Sequence, residues 1–231
     1  MYVIVDFRTD VEERNSLKNL GYDLLICPPS NLLYDAVCGH PDMLLKIIDN
    51  DKILVHKNMD KTFISKLKTL GYKVFLSRNN LCSEYPNDII LNSVNLNNIF
   101  IHNLKYTDPN LLTFMEGKKK ISVKQGYTKC STAVVNDKAI ITSDLSISNA
   151  LKLEGIDILL VPPGDILLPG LDYGFIGGCC GIIAPNTMAF YGDLSYYKYG
   201  EKVLEFLHKH HVNPVFLRSG KLVDRGSLFV I

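Results

Sequence analysis

The sequence lacks long hydrophobic runs and lacks an excess of charge of either sign. Its longest apolar stretches, such as residues 156–163, fall well short of the ~20 residues that span a bilayer. Lys and Arg total 25 against 24 Asp and Glu, so no global field attracts nucleic acid or an anionic membrane. Neither partner is therefore expected, and the oligomeric state is left open.

Paired cysteines and phosphate-binding glycine motifs are also missing. The six cysteines form no C-x-x-C pair, and Cys179-Cys180 is a poor start for a zinc site, so we expect neither a metal nor a cofactor. Gly177-Gly178 belongs to no G-x-G-x-x-G or P-loop spacing. The first residues, 1–6, lack the basic region and cleavage site of a signal peptide, which favours a cytoplasmic protein with free thiols.

What the sequence does contain is a repeat. Residues 20–27, Leu-Gly-Tyr-Asp-Leu-Leu-Ile-Cys, return at 70–77 and more loosely at 154–161, each time with a glycine where a helix ends and an apolar strand after it. Weaker copies lie at 118–125 and 210–217. The chain therefore contains five copies of one unit.

Each copy follows a predicted helix, and a predicted hairpin leads into the next one. The helices are expected at 11–20, 61–70, 109–116, 146–154 and 198–210, with Asp10, Asp60, Asp108 and Asp144 near four of their starts. The hairpin strands are expected at 43–48 with 53–56, 89–94 with 99–102, 132–135 with 139–142, and 180–183 with 188–191.

The fifth hairpin has its two strands at opposite ends of the chain. Residues 227–231 form an apolar strand with no following partner, and residues 2–7 form a strand that leads directly into a helix. Pairing the two ends completes the fifth unit and leaves no exposed edge there. The sequence thus predicts one α/β domain over 1–231 with fivefold pseudosymmetry, closed by its terminal strands.

This order of units resembles the pentein fold, an α/β propeller shared by arginine deiminases, dimethylarginine hydrolases and amidinotransferases. The ribosome anti-association factor of archaea and eukaryotes has the same fold without being an enzyme. The resemblance implies that the loops entering the hairpins meet at the central axis. In the enzymes these loops carry a nucleophilic Cys, a His in an H-x-D pattern, and acids that hold a guanidinium.

The matching loops supply the candidate site residues. His40-Pro41-Asp42 fits H-x-D, and Asp42 precedes His56 by fourteen residues, as Asp88 precedes His102. The resemblance makes His40, Cys130 and Cys180 catalytic candidates, and Asp42, Asp88, Cys179 and Arg225 substrate-binding candidates. Lys129 would lower the pKa of the neighbouring Cys130 thiol, and Gly177-Gly178 permits close approach of a ligand to Cys179 and Cys180.

Each candidate also has a structural interpretation. Asp42 and Asp88 suit turns, His40 suits a loop with backbone partners, and the cysteines suit a core of small hydrophobic residues. His56 and His102 fit structural positions in second hairpin strands.

One departure from the family bears on the function. The enzymes carry H-x-D in the fourth unit and the Cys in the fifth, whereas here H-x-D lies in the first unit and the nearest cysteines lie two and three units on. Two functions therefore remain open. One is a thiol-dependent hydrolase or amidinotransferase with an axial pocket for a small guanidino or amidino compound. The other is a non-catalytic pentein that binds a macromolecule or a ligand.

Overall fold

The computed structural model describes residues 1–231 and contains five three-stranded sheets and six α-helices. In every sheet the central strand pairs antiparallel with one neighbour and parallel with the other. The parallel pair is always joined by a helix, as a crossover between parallel strands requires. The repeat predicted from the sequence is therefore confirmed.

The strands and helices fall in the following order. The five sheets contain β3 (Leu45–Ile47), β4 (Lys52–Val55) and β5 (Lys73–Leu76); β6 (Val94–Asn95), β7 (Ile99–His102) and β8 (Lys119–Ser122); β9 (Thr132–Asn136), β10 (Ala139–Thr142) and β11 (Asp157–Leu160); β12 (Cys180–Ala184), β13 (Thr187–Phe190) and β14 (Asn213–Phe216); and β15 (Phe229–Val230), β1 (Tyr2–Asp6) and β2 (Asp23–Cys27). The helices are α1 (Val11–Asn19), α2 (Pro41–Leu44), α3 (Lys61–Thr69), α4 (Pro109–Phe114), α5 (Leu145–Lys152) and α6 (Gly200–Lys209).

The helix boundaries follow from local chemistry. Asp10, Asp60, Asp108 and Asp144 each accept a hydrogen bond from a backbone N–H of the first turn, as predicted. Beyond α1, α3 and α5, glycines at 21, 71 and 155 adopt positive φ values that end the helix without steric strain. After α6, which lacks such a glycine, His211 takes the left-handed conformation instead. None of the helices has the length and apolarity needed to cross a bilayer.

The two ends of the chain share one sheet. Val3 pairs with Val230 and Ile4 with Phe229, and Tyr2 and Ile231 exchange two backbone hydrogen bonds. Val3 and Ile4 are fully buried, so this pairing lies in the core. The predicted pairing of the terminal strands is therefore confirmed.

Of the predicted strands, the one at 43–48 is confirmed only over Leu45–Ile47, and the one at 89–94 is largely wrong. Residues 41–44 form the short helix α2, because Pro41 pre-sets a helical φ at its first position. Residues 89–93 form successive turns, and the strand there is limited to Val94–Asn95. In both segments the backbone forms hydrogen bonds within turns or with other loops; the N–H of Asp42, for example, donates to the backbone oxygen of Gly226.

Candidate active site at the axis

A cavity of about 320 Å³ lies where the hairpin-entering loops converge. His40, Cys130 and Asp224 contribute to its wall, and each comes from a different unit of the propeller. The remaining lining is mainly aromatic and aliphatic and contains no Lys or Arg; its aromatic members are Tyr34, Tyr127, Tyr173 and Phe175. The cavity thus combines a thiol, an imidazole and a carboxylate in an apolar enclosure.

His40 is held in this wall by backbone geometry. It directly precedes Pro41 at the start of α2, and its side chain is almost completely buried. A Cβ on Gly226 would lie 2.2 Å from the His40 Cβ, so the loop from the fifth unit needs glycine there. Gly226 also has a φ of +66°, which a side chain would strain.

The two ring nitrogens of His40 face two carboxylates. Nδ1 lies 3.8 Å from Asp224 Oδ1, and Nε2 lies 4.0 Å from Asp6 Oδ2. Neither nitrogen has a hydrogen-bond partner, although both are buried. The imidazole therefore lies between two carboxylates, and no protein group hydrogen-bonds to either ring nitrogen.

Cys130 is in direct contact with Asp42. The thiol donates a hydrogen bond to Asp42 Oδ2 over 3.2 Å, and it accepts one from Asn92 Nδ2 over 3.0 Å. Asp42 Oδ2 also accepts a hydrogen bond from Ser227 Oγ at 2.8 Å, while Asp42 Oδ1 has no partner. The axis therefore contains a buried network of thiol, carboxylate and hydroxyl groups.

Asn92 fixes the backbone that carries Cys130. Its Oδ1 accepts hydrogen bonds from the backbone N–H groups of Lys129 and Cys130, at 2.8 and 3.2 Å. Its amide nitrogen donates to the backbone oxygen of Asp42 as well as to the thiol. One side chain thus joins loops of the first, second and third units, which explains why residues 89–93 turn instead of continuing as a strand.

The expectation that Lys129 lowers the pKa of Cys130 is wrong. Burial raises the pKa of the Cys130 thiol well above its ordinary value, and the charges of Asp42 and Asp224 raise it further. The Lys129 ammonium is directed elsewhere, to Ser227 Oγ at 2.8 Å and to the backbone oxygen of Gly177 at 3.0 Å. Adjacency in sequence did not place this charge beside the thiol.

Asp224 is the buried carboxylate on the cavity wall, whereas Asp172, the other acidic residue of the lining, is exposed. Its oxygens accept hydrogen bonds from the backbone N–H groups of Phe175 and Gly226, at 2.8 and 2.9 Å. Burial is the main cause that raises its pKa, Asp42 adds to the rise, and His40 opposes it. Its charge is therefore easily stabilised further by a cation in the cavity.

The glycines before Cys179 make room for the protein itself. A Cβ on Gly178 would lie 1.9 Å from Asp224 Oδ1, and one on Gly177 would lie 2.3 Å from backbone oxygens of Lys129 and Thr132. These contacts replace the close ligand approach expected from the sequence.

Four of the predicted site residues lie away from the cavity. Cys179 and Cys180 both donate to the backbone oxygen of Ile176, and Cys180 lines a different groove. The Arg225 guanidinium lies 3.3 Å from Glu13 and 3.7 Å from Asp10, at the start of α1. Asp88 is fully buried behind the cavity lining, where it accepts a hydrogen bond from Tyr127.

The fourteen-residue spacings do not mark equivalent positions. Asp42 lies three residues before Leu45, which pairs with Val55, whereas Asp88 lies six residues before Val94, which pairs with Ile101. Accordingly only Asp42 reaches the thiol.

Several residues of the site were not identified from the sequence. Asp224 and Ser227 lie on either side of Arg225, the one residue of this loop that the sequence analysis selected. Asn92 was hidden inside a predicted strand, and Tyr34 and Tyr127 belong to irregular loops between units. The only local signal was Asn92 itself, a polar residue among apolar ones at the entry to a hairpin.

The fold defined by these five units is the pentein fold, and solved structures confirm this. An amidinotransferase from Microseira wollei in the saxitoxin biosynthetic pathway has a TM-score of 0.56 at 9% identity, with 94% of this chain and 88% of that chain covered. DDAH from Pseudomonas aeruginosa complexed with citrulline has a TM-score of 0.57 at 10% identity, with 93% and 91% covered. Agmatine deiminase from C. jejuni has a TM-score of 0.57 at 11% identity, with 94% and 86% covered.

In sequence, the chain belongs to the family of unknown function DUF6873, which matches residues 4–229. No curated protein matches it.

Proposed function

We propose that this pentein is a thiol-dependent hydrolase or amidinotransferase that acts on a small guanidino or amidino compound in the axial cavity. The observation that carries the proposal is the Cys130 thiol, 3.2 Å from the Asp42 carboxylate, in the wall of a cavity that also presents His40. A nucleophile, a proton-exchanging group and an anionic partner within one pocket fit the general criteria for such a site.

The lining of the cavity favours a planar cation. Asp224 and Asp172 are the only acidic residues that line the cavity, and no Lys or Arg lines it. Aromatic faces attract a cation, and a carboxylate binds an amidinium through paired charge-assisted hydrogen bonds. The absence of a basic residue also disfavours substrates whose second group is a carboxylate, so a guanidino amine suits the cavity better than a guanidino acid.

Binding of such a cation would activate the thiol. Burial and the charges of Asp42 and Asp224 raise the pKa of Cys130. A guanidinium beside these carboxylates offsets their charge and gives the thiolate a counter-ion, so the substrate itself lowers the thiol pKa. Asp42 accepts the thiol proton along the existing hydrogen bond.

The proposed chemistry then proceeds in two steps. The thiolate forms a C–S bond to the central carbon, and the C–N bond to the leaving nitrogen breaks as His40 donates a proton to it. Water next adds to the thiouronium carbon while His40 accepts a proton. The C–S bond then breaks as Asp42 returns its proton to the sulfur, and the proton lost from the new ureido oxygen goes to the released amine. With an amine in place of water, the same intermediate transfers its amidino group.

Product analysis with cysteine variants tests the proposal. The wild-type protein, Cys130→Ser and Cys180→Ser would be incubated with agmatine, arginine and a panel of smaller amidines, and ammonia and ureido products would be measured. We expect turnover of at least one compound by the wild type and by Cys180→Ser, and none by Cys130→Ser. Turnover by Cys130→Ser at the wild-type rate would refute the role of this thiol.

A non-catalytic pentein that binds a small cation is the second candidate. The raised pKa of Cys130 favours it, because a protonated thiol donating to Asp42 is a stable structural arrangement. This function predicts that ligands bind equally to the wild type and Cys130→Ser, and that neither releases a product.

A further inference from the structure

A second, larger concavity lies on a different side of the axial loops. This groove has a volume of about 860 Å³ and shares no lining residue with the cavity. The two are nevertheless adjacent, because Lys129 lines the groove and Cys130, the next residue, lines the cavity. Most of the groove wall is apolar, including Ile182, Phe229 and Val230.

Lys46 is the unusual residue of the groove. It lies within β3, and only 6% of the residue is exposed. Its ammonium donates to the backbone oxygen of Ser93 and forms no ion pair with any carboxylate. Since an ammonium carries three N–H donors, two of them have no protein acceptor.

Lys129 places a second cation in the same groove. Two of its N–H groups are used by Ser227 and Gly177, and its ammonium lies 5.8 Å from the centre of the Phe229 ring. Burial is the main cause that lowers the pKa of Lys46 to about 7. Repulsion between the ammonium groups of Lys46 and Lys129 contributes to the lowering, and the carboxylate of Asp42 opposes it. An anion near both would offset that repulsion and satisfy the remaining donors.

The other polar groups of the groove also favour an anion. Asp49 is the only acidic residue in the lining, and its carboxylate is already paired with Lys52 at 2.7 Å. The side-chain oxygen of Asn95 is buried without a hydrogen-bond partner. Because the amide can rotate, the same side chain is able to present its N–H donors to an oxygen anion.

We propose that this groove binds a small carboxylate with an aliphatic body, its carboxylate held by Lys46 and Lys129 and its chain packed along Ile182 and Phe229. A carboxylate suits the groove better than a phosphate, because only three ammonium N–H donors remain free and no arginine contributes to the lining. Burial of the ligand's aliphatic body against the apolar walls contributes to the free energy of binding. Binding in this groove does not require the reaction proposed for the cavity.

Calorimetric titration with octanoate and octanamide tests the proposal, since the two probes differ only in the anionic head. We expect octanoate to bind at least about tenfold more tightly than octanamide. Lys46→Met should remove that preference, whereas Lys73→Met, which alters an exposed lysine on β5, should leave it unchanged. Equal affinity for the two probes, or an unchanged preference in Lys46→Met, would overturn the proposal.

A second measurement does not depend on the variants. Amide chemical shifts of the wild-type protein would be followed during titration with octanoate and, separately, with inorganic phosphate. Shifts around Ile47, Ile182 and Phe229 with octanoate support the site. Shifts confined to the cavity around Leu171 and Tyr173, no shift at all, or equally tight binding of phosphate would contradict it.

Discussion

The Cys130 thiol donates a hydrogen bond to the carboxylate of Asp42, 88 residues away in the chain. The contact joins the third unit of the propeller to the first, so only convergence of the loops at the axis brings it about. It makes the state of the thiol dependent on charges contributed by other units.

The reactivity of Cys130 should change in opposite directions in two variants. Asp42→Asn removes a charge that raises the thiol pKa, so the pH midpoint for alkylation by iodoacetamide should fall. Asn92→Leu removes the amide hydrogen bond that lowers the pKa, so the midpoint should rise. Alkylation of the Cys130 peptide is measured by mass spectrometry, with the exposed substitution Asp23→Asn as control. Midpoints that shift in the same direction would contradict this electrostatic account.

Gly226 should be far less tolerant of alanine than Gly21, although both have positive φ values. At Gly21 no atom lies within 4 Å of the added Cβ, so Gly21→Ala costs only backbone strain of roughly 1–2 kcal/mol. At Gly226 the Cβ also collides with His40, so we expect roughly 2–5 kcal/mol in total. Urea denaturation gives both free energies of unfolding. Equal losses would show that His40 is not fixed by this contact.

The hydroxyl of Ser227 should contribute to stability through the axial network. Ser227→Ala leaves Lys129 without one acceptor and Asp42 without one donor, and the expected loss is about 1–3 kcal/mol in the free energy of unfolding. The comparison is Ser195→Ala, in an exposed position on the surface. Chemical denaturation of both variants measures the difference. A Ser227→Ala variant as stable as Ser195→Ala would show that the axial hydrogen-bond network does not contribute to stability.

Two buried histidines make the protein sensitive to acid. Burial lowers the pKa of His102 to about 3 and that of His56 to about 4. Below the unfolded pKa of about 6.5 the unfolded state binds protons that the folded state does not, so these groups reduce stability as the pH falls towards 3–4.

His102→Gln should remove about 1.4 kcal/mol per pH unit from that slope between roughly pH 6 and pH 4. The hydrogen bond between His102 and Thr107 is lost in this variant, so the comparison rests on the slope with pH and not on the absolute stability. The exposed substitution His208→Gln should leave the slope unchanged, and denaturation at several pH values measures both. An identical slope in His102→Gln and the wild type would contradict the low pKa.

The architecture was predictable from the sequence, while most of the site was not. Helix caps such as Asp10 and terminating glycines such as Gly21 act locally, so their signals stand in the sequence at the correct place. His40, Asp42 and Cys130 were identified because they occupy loops at repeated positions. Arg225 does not line the cavity, because its guanidinium pairs with Glu13 at the start of α1.

The same reasoning explains why Asp224 and Asn92 were overlooked. Their roles depend on contacts with residues 40 and 130, which belong to other units, and no spacing within one unit encodes such contacts. The turns at residues 89–93 likewise arise from a tertiary hydrogen-bond network, which overrides the apolar pattern that favours a strand.

Removal of residues 228–231 should abolish cooperative folding. The deletion takes away β15, which pairs with β1, and exposes the buried strand residues Val3 and Ile4. An unpaired strand in the core leaves backbone groups without partners, so we expect a sharp thermal transition for the full chain and none for the truncated chain. Calorimetry of the truncated chain measures this, and an unchanged melting temperature would refute it.

The central claim is that Cys130 forms a covalent bond to a guanidino or amidino carbon, and quenched intact-protein mass spectrometry tests it most directly. Acid quenching during turnover of agmatine or the best amidine should reveal a mass increase that maps to the Cys130 peptide in the wild type and in Cys180→Ser. An adduct that maps to Cys180, or turnover with no adduct and an unimpaired Cys130→Ser variant, would contradict the account.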